Sequence, residues 1–533
     1  MSKNFLKSSI ENASLNILLQ IGFRCLTFVL NACVLRHVSQ DEIGITNVRL
    51  LLLESTVLFL SREAFRRACL TATTQHDWPK VINLIWLSVP LCIGISGVCG
   101  YVWLNLLEQP NISLTLHYKF GVWSILISCV MELCSEQLYI VGQAFLFVRV
   151  QIALEIINIT IRTIIYTTLV MSWSGQNAVL AFSFAQLASI FIYTLSFYAY
   201  FWYYLRNKND NLPFNSMWDL FPKIFKKKWS ECLDFRLVLL LWSFLKQGFM
   251  KQLLTDGERY VMTFFNTLKF NQQGVYDIIN NLGSLAARFL FRPVETASYF
   301  YFSQLVHRDV PIKKQIEQDS NRIKEVVNVL ECLLRVNSSI GLVVLSFGQA
   351  YAKLALYLYG GSALAVGIGP IILKMHCLSI LFLAVNGIIE CYAAATMNIT
   401  ELNQYNVEMV YLSVIFIFIS FVLSSFFGGL GFILANCCNF AFRIIQCGRY
   451  IISQYKNTNY SPLKSLIPKK LFLMTLILST ILTLYSENIY FENDKVFHVL
   501  FGAILFFITV SIWLFEEIST LKFLSKVYHK KYN

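Results

Sequence analysis

Charged and amide side chains recur at helical spacing inside stretches that are otherwise apolar. Within residues 13–35, Asn16, Gln20, Arg24, Thr27 and Asn31 step by four, four, three and four, which sets them on one face of a helix. Gln151, Glu155, Asn158 and Arg162 do the same within 148–171. Ser243, Gln247, Lys251 and Glu258 form a stripe within 237–263, and Asp277, Asn281, Ser284, Arg288, Arg292 and Glu295 form another within 273–304. Asn436, Asn439 and Arg443 share a face within 429–452. A charge at the centre of a bilayer costs about 2.5–3.5 kcal/mol on insertion scales, so these stripes must face protein or water. Lone polar residues in spans usually serve as packing or hydrogen-bond glue. Repeated stripes that contain arginine are better read as walls of a wet, cationic cavity. A further cluster, "FLSREAFRRACL" at residues 59–70, brings Arg62, Glu63, Arg66 and Arg67 to the end of an apolar run. Glu63 and Arg67 are four apart and are expected to pair. Anchoring by the positive-inside effect accounts for the charge of this cluster but not for Arg24 and Arg288 within the membrane.

Covalent chemistry has no foothold in local motifs. The chain lacks a G-x-x-x-x-G-K-[ST] loop, an H-E-x-x-H pair and a G-x-S-x-G elbow. Its 14 cysteines lie almost all inside apolar runs with no C-x-x-C pair, and read as small packing residues. No cofactor, no metal site and no enzymatic activity are expected.

The elements that must hold the stripes are membrane helices. Of 533 residues, 56% are hydrophobic and 14% charged, far from the balance of a soluble domain. Apolar runs long enough to cross a hydrocarbon core recur throughout, giving about fourteen spans. Their backbone polar groups can be satisfied in lipid only as helices, since the alternation of barrel strands is absent. The first span is too long, and too poor in small-residue cleavage signals, to read as a removed signal peptide. Lysine and arginine gather on one side: Lys3, Lys7, the Arg62 cluster, "KIFKKKW", Arg308, Lys313, Lys314, Lys469, Lys470 and the tail. The other side keeps little beyond Arg36, Lys269, Lys353 and Lys495, so both termini are expected to be cytoplasmic. The net charge of +13 then reflects the anionic cytoplasmic leaflet and requires no nucleic acid.

Internal symmetry is expected as well. Aligning Gly44 with Gly274 without gaps places Leu52 on Leu282, Phe59 on Phe289, Leu60 on Leu290 and Arg62 on Arg292. Paired halves are a common plan of transporters. The expected fold is therefore all-α and polytopic, with two pseudo-symmetric lobes of six helices each. The lobes are residues 1–203 and 237–452, joined by a basic cytoplasmic linker at 204–236 and followed by helices thirteen and fourteen with a tail at 453–533.

The segments "FRCLTFVLNACVLRHVS", "NVRLLLLESTVLFLSREAFRRACL", "LTDGERYVMTFFN", "QGVYDIINNLGSLAARFLFRPVE" and "GFILANCCNFAFRI" resemble the eukaryotic endoplasmic reticulum family assigned to translocating dolichol-linked oligosaccharide for N-glycosylation. That family belongs to the superfamily of multidrug, oligosaccharidyl-lipid and polysaccharide exporters. The resemblance spans essentially the whole chain and implies a two-lobed helical fold whose central cavity opens alternately to either side. It implies a substrate, dolichyl diphosphate bearing five mannoses on two N-acetylglucosamines, made on the cytoplasmic leaflet and needed on the lumenal one. The partners implied are that lipid, the surrounding membrane lipids and proteins of the glycosylation pathway.

Under the resemblance, arginine suits the diphosphate because its planar fork binds phosphate oxygens in pairs and stays charged. Arg62 and Arg66 would receive it, while Arg24, Arg288 and Arg292 line the route. Arg36, Lys251, Glu258, Glu295 and Arg443 would gate or support the cavity. A noncatalytic protein that binds this lipid or organises its enzymes would use the same residues. An ion-coupled drug extruder would want an acid in the first span, where Arg24 sits instead. A membrane glycosyltransferase would want a large acidic outer loop, and the outer loops are short. The terminal "KKYN" resembles a dilysine retrieval signal of endoplasmic reticulum membrane proteins.

Overall fold

The structure is a computed structural model that describes residues 26–71, 76–145, 147–173, 177–207, 213–214, 216–223, 232–308, 310–456 and 458–532. Among these residues every regular element is a helix. Eleven helices among the described residues are long and apolar enough to cross a membrane, so the chain is an all-α, multi-span membrane protein. The expected fourteen spans exceed that number for identifiable reasons. The first is described only as the short apolar helix Leu26–Leu35, and the spans that carry the densest polar stripes fall outside the set.

Two compact units divide the chain, Met1–Gly274 and Val275–Asn533. The first holds α1 (Leu26–Leu35), α2 (Gln40–Cys69), α3 (Trp78–Leu106) and α4 (Ile112–Leu133). It continues with α5 (Glu136–Ala144), α6 (Val148–Ser172), α7 (Ala178–Arg206), α8 (Phe235–Thr255) and α9 (Gly257–Phe264). Ser39 starts α2 by accepting a hydrogen bond from the Glu42 amide at 3.3 Å. Glu42 in turn accepts from the Ala178 amide at 2.8 Å, meeting a donor that the first turn of α7 cannot satisfy internally. α2 is the axis of this unit and packs on both α3 and α8, while α7 packs on α4 and α6. Leu52, Val57, Val122, Ile125 and Leu126 fill one apolar core. Phe65, Ile82, Phe197 and Phe201 fill a second.

A seventeen-residue helix, α10 (Phe270–Ala286), continues through a π-helical turn at Ala287–Phe291 into α11 (Arg292–Leu305). The first five residues of α10 belong to the first unit. There Gly44 of α2 meets Gly274 of α10. A Cβ on Gly44 would lie 2.0 Å from the Phe270 carbonyl oxygen, and one on Gly274 would lie 2.3 Å from that of Gln40. Only glycine lets the two backbones approach this closely. The two glycines superposed by the internal alignment are thus in direct contact.

The second unit continues with α12 (Ile312–Gln318), α13 (Ser320–Gly360), α14 (Gly369–Thr396), α15 (Ile399–Phe427), α16 (Gly429–Gln454), α17 (Lys470–Tyr490) and α18 (Lys495–Tyr532). α13 and α14 pack along one another, α16 covers α14, and α17 with α18 flanks α13. Asn398 and Glu401 form a reciprocal capping box that starts α15. Phe302, Ile323, Leu330, Tyr392 and Tyr455 form the core.

Candidate functional site

Three ion pairs run through the interior of the first unit. Arg62 on α2 pairs with Glu132 on α4, and Arg66, one turn further, pairs with Glu136 on α5. The Arg66 fork is bidentate: Nε reaches one carboxylate oxygen, and a terminal nitrogen donates to the other at 2.9 Å. The same guanidinium lies 3.6 Å from the centroid of the Tyr139 ring, so one face is stacked while one edge is bonded. Glu136 is 2% exposed and Arg66 18%. Deeper along α2, Glu54 accepts from Gln186 of α7 at 2.8 Å and lies 3.8 Å from Arg162 of α6. Gln186 accepts from Arg162 at 2.9 Å and so bridges the two charges.

These contacts arise because α2 turns one face toward α4, α5 and α7 at every fourth residue. Arg62 and Arg66 are four apart on one face of α2, and the turn at 134–135 between α4 and α5 sets Glu132 and Glu136 opposite them. Arg62 retains further N–H donors beyond the one given to Glu132, since a guanidinium carries five. An anion can therefore share or take over an arginine already held by a carboxylate.

Another face of α2 is polar for a different purpose. Arg49 is fully buried, donating to the Thr263 carbonyl at 2.9 Å and to the Asn266 side-chain oxygen at 3.1 Å. Its guanidinium lies 5.0 Å from the Phe270 ring. Ser55 donates to Asp256 at 2.9 Å, and Thr56 shares a 2.8 Å hydrogen bond with Tyr260. Together with the Gly44–Gly274 contact, these bonds fasten α2 to α9 and to the start of α10.

In the second unit the charges centre on Glu390 of α14. One of its oxygens accepts from Arg443 of α16 and from the Tyr405 hydroxyl, the latter at 2.8 Å, and the other accepts from Asn386 at 2.9 Å. Glu295 of α11 lies flush on Gly387, where a Cβ would fall 2.0 Å from its carboxylate oxygen. Lys374 and Glu487 pair at 3.1 Å, and Arg335 and Glu517 at 3.2 Å, linking α14 to α17 and α13 to α18.

The expected site residues fall into distinct settings. Arg62 and Arg66 stand together on α2, and Arg443 and Glu295 both belong to the second unit. Arg292 is exposed at the start of α11, Arg36 is exposed just past α1, and Glu258 is half-buried at the start of α9. Arg24 lies outside the described residues, as do the side chains of Lys251 and Arg288. Glu63 and Arg67 pair at 2.9 Å as their spacing predicts. Sequence reasoning missed Glu54, Glu132, Glu136 and Glu390 as partners, and Arg49 altogether.

A family model described as Rft-1, Rft protein, matches residues 8–527. The chain is 42% identical over 489 residues to the Man(5)GlcNAc(2)-PP-dolichol translocation protein RFT1 of Xenopus tropicalis, covering 91% of this chain and 90% of that protein. It is 39% identical over 531 residues to the protein of that name in Mus musculus, covering 98% and 97%. Among solved structures, lipid II flippase MurJ in an inward closed conformation is similar with a TM-score of 0.60 at 14% identity, over 95% of this chain and 99% of that one. An inward-facing multidrug resistance MATE family transporter of the MOP superfamily is similar with a TM-score of 0.54 at 12% identity, over 81% and 95%. At these identities the two structures speak to fold, whereas the sequence matches speak to descent: the chain belongs to the Rft protein family.

Proposed function

We propose that the chain is an intramembrane glycolipid transporter. It carries dolichyl-diphosphate-linked oligosaccharide, with five mannoses and two N-acetylglucosamines, from the cytoplasmic to the lumenal leaflet of the endoplasmic reticulum for protein N-glycosylation. The observation that carries this reading is the 42% identity, over 91% of the chain, to a protein named for that translocation. The chain performs no covalent chemistry in this reading and acts by alternating access of a cationic cavity. Both termini face the cytoplasm. Residues 1–203 and 237–452 form the two lobes, 204–236 the linker, and 453–533 the appended helices and tail.

The ligand's glycan and diphosphate cannot cross hydrocarbon unaided, whereas its polyprenyl tail need not leave it. Arg62 and Arg66 receive the diphosphate, exchanging part of their bonding to Glu132 and Glu136 for phosphate oxygens. Arg24, Arg288 and Arg292 line the route. Arg36, Lys251, Glu258, Glu295 and Arg443 gate or support it, and Glu390 holds Arg443 in place.

Purified protein reconstituted in vesicles with the authentic lipid tests the proposal. Protein-dependent transfer of the lipid to the opposite leaflet is the expected result. Binding without transfer would instead assign the chain to a noncatalytic role that binds the lipid or organises its enzymes.

A further inference from the structure

A short strap, residues 216–223, crosses the ends of α3 and α7, and its Leu220 packs into the same core as Phe65 and Phe197. Its single 3-10 turn, Met217–Leu220, is fixed by a capping box between Ser216 and Asp219. Trp86 donates from its indole N–H to the Leu220 carbonyl at 2.9 Å, and the Lys223 amide donates to the Asn83 side-chain oxygen at 2.8 Å. The Phe221 ring stacks on Trp86 at 5.7 Å and on Tyr198 at 6.0 Å. Thus the strap is a built part of the fold.

Between the strap and α7 opens a cleft of about 830 Å³. Tyr198, Trp202, Trp218 and Phe221 line it, and Arg206 stands at the last turn of α7. Trp202 is 54% exposed and Trp218 76%, although both are large aromatics. The Arg206 guanidinium lies 5.4 Å from the Trp202 ring centroid, which holds its charge beside the aromatic wall. Leu195, also part of the lining, continues the trough along α7 toward the middle of that helix.

Aromatic rings with one polar edge, followed by an arginine at the end of a spanning helix, mark the boundary between hydrocarbon and water. A trough that is apolar along its length and cationic at its mouth complements a molecule with an acyl chain and an anionic phosphate. We propose that this cleft binds one anionic glycerophospholipid of the surrounding bilayer, its phosphate on Arg206 and one acyl chain along the aromatic trough. The site shares no residue with the proposed diphosphate route, and the inference requires only that the chain spans a membrane.

Native mass spectrometry of the full chain in detergent, titrated with phosphatidylglycerol or phosphatidylcholine of identical acyl chains, tests it. The expected result is one phosphatidylglycerol retained at about tenfold lower lipid concentration than phosphatidylcholine, whose phosphate is neutralised by its own choline cation and is therefore held less strongly by an arginine. Arg206→Gln should abolish that preference, whereas Trp202→Leu should weaken retention of both lipids. Arg236→Gln removes a side chain that is 82% exposed on α8 and should leave both unchanged. A preference that persists in Arg206→Gln, or a parent chain that does not distinguish the two lipids, would overturn the proposal.

Discussion

Replacing Glu132 by glutamine removes a charge and keeps an oxygen that can accept from Arg62, so the geometry of the pair is preserved. Glu132 is 14% exposed and Arg62 26%, a pair neither dry nor fully solvated. Two unit charges about 4 Å apart interact by about 4 kcal/mol at the effective dielectric suited to such sites, and desolvation offsets much of that. A net release of about 1.4 kcal/mol corresponds to tenfold in an equilibrium constant. If Arg62 serves the diphosphate, Glu132 competes with the ligand, and Glu132→Gln should bind a dolichyl-diphosphate oligosaccharide about tenfold more tightly. Tighter holding should also slow release, so transfer between leaflets should fall as affinity rises. Equilibrium binding of the isotopically labelled lipid to the purified variant, paired with the vesicle assay, reads both quantities. Thermal melting in detergent establishes that the variant is folded. Unchanged or weaker binding by a folded Glu132→Gln chain would refute the exchange of carboxylate for phosphate at Arg62.

Four further outcomes are expected. An Arg66→Lys, Arg288→Lys double variant keeps both charges but loses both planar forks, the bidentate grip of Arg66 on Glu136 included, so it should underglycosylate secreted proteins even at expression matched to the parent; normal glycosylation at matched expression would sink the diphosphate clamp. Gly44→Val should lower the melting temperature and the yield, because its side chain would collide with the Phe270 carbonyl, and melting equal to that of the parent would contradict the close approach. Lys530→Ser with Lys531→Ser should let part of the protein leave the endoplasmic reticulum, as seen by microscopy, if the tail retrieves it from the cytoplasmic side. Asn111 is the Asn-x-Ser/Thr site expected on a lumenal loop, so glycan mapped by mass spectrometry should appear at Asn111 or nowhere, and glycan at Asn459 would reverse the assigned orientation.

The long apolar runs were readable because a helix must carry its own backbone hydrogen bonds through lipid, which leaves a mark on twenty consecutive residues. The stripe within 148–171 was readable for the same reason, and the structure brings its Arg162 to Glu54 and Gln186. Glu63 and Arg67 were readable because one helix supplies both ends of the pair. Periodicity names the face on which a residue stands, but it does not say which helix lies opposite. Glu132 and Glu136 stand 70 positions beyond their arginines, and only packing brings them together. Their spacing of four, equal to that of Arg62 and Arg66, was the available signal. Arg49 carried a weaker one, since its stability depends on carbonyls at the end of α9 rather than on any charged partner. Gly44 and Gly274 align in the expected internal repeat, yet their contact follows from the crossing of two helices and not from that alignment.

The pairing of the α2 arginines has an electrical consequence. Arg62 with Glu132, Arg66 with Glu136 and Arg162 with Glu54 each sum to zero. These three pairs therefore add almost no net charge to the bilayer field, and under the proposed route the charge moved without ligand falls to Arg24, Arg288 and Arg292. A bound diphosphate adds its own negative charge beside these neutral pairs. In the proposed cycle, the loaded and return steps therefore differ in the charge they move by that of the diphosphate.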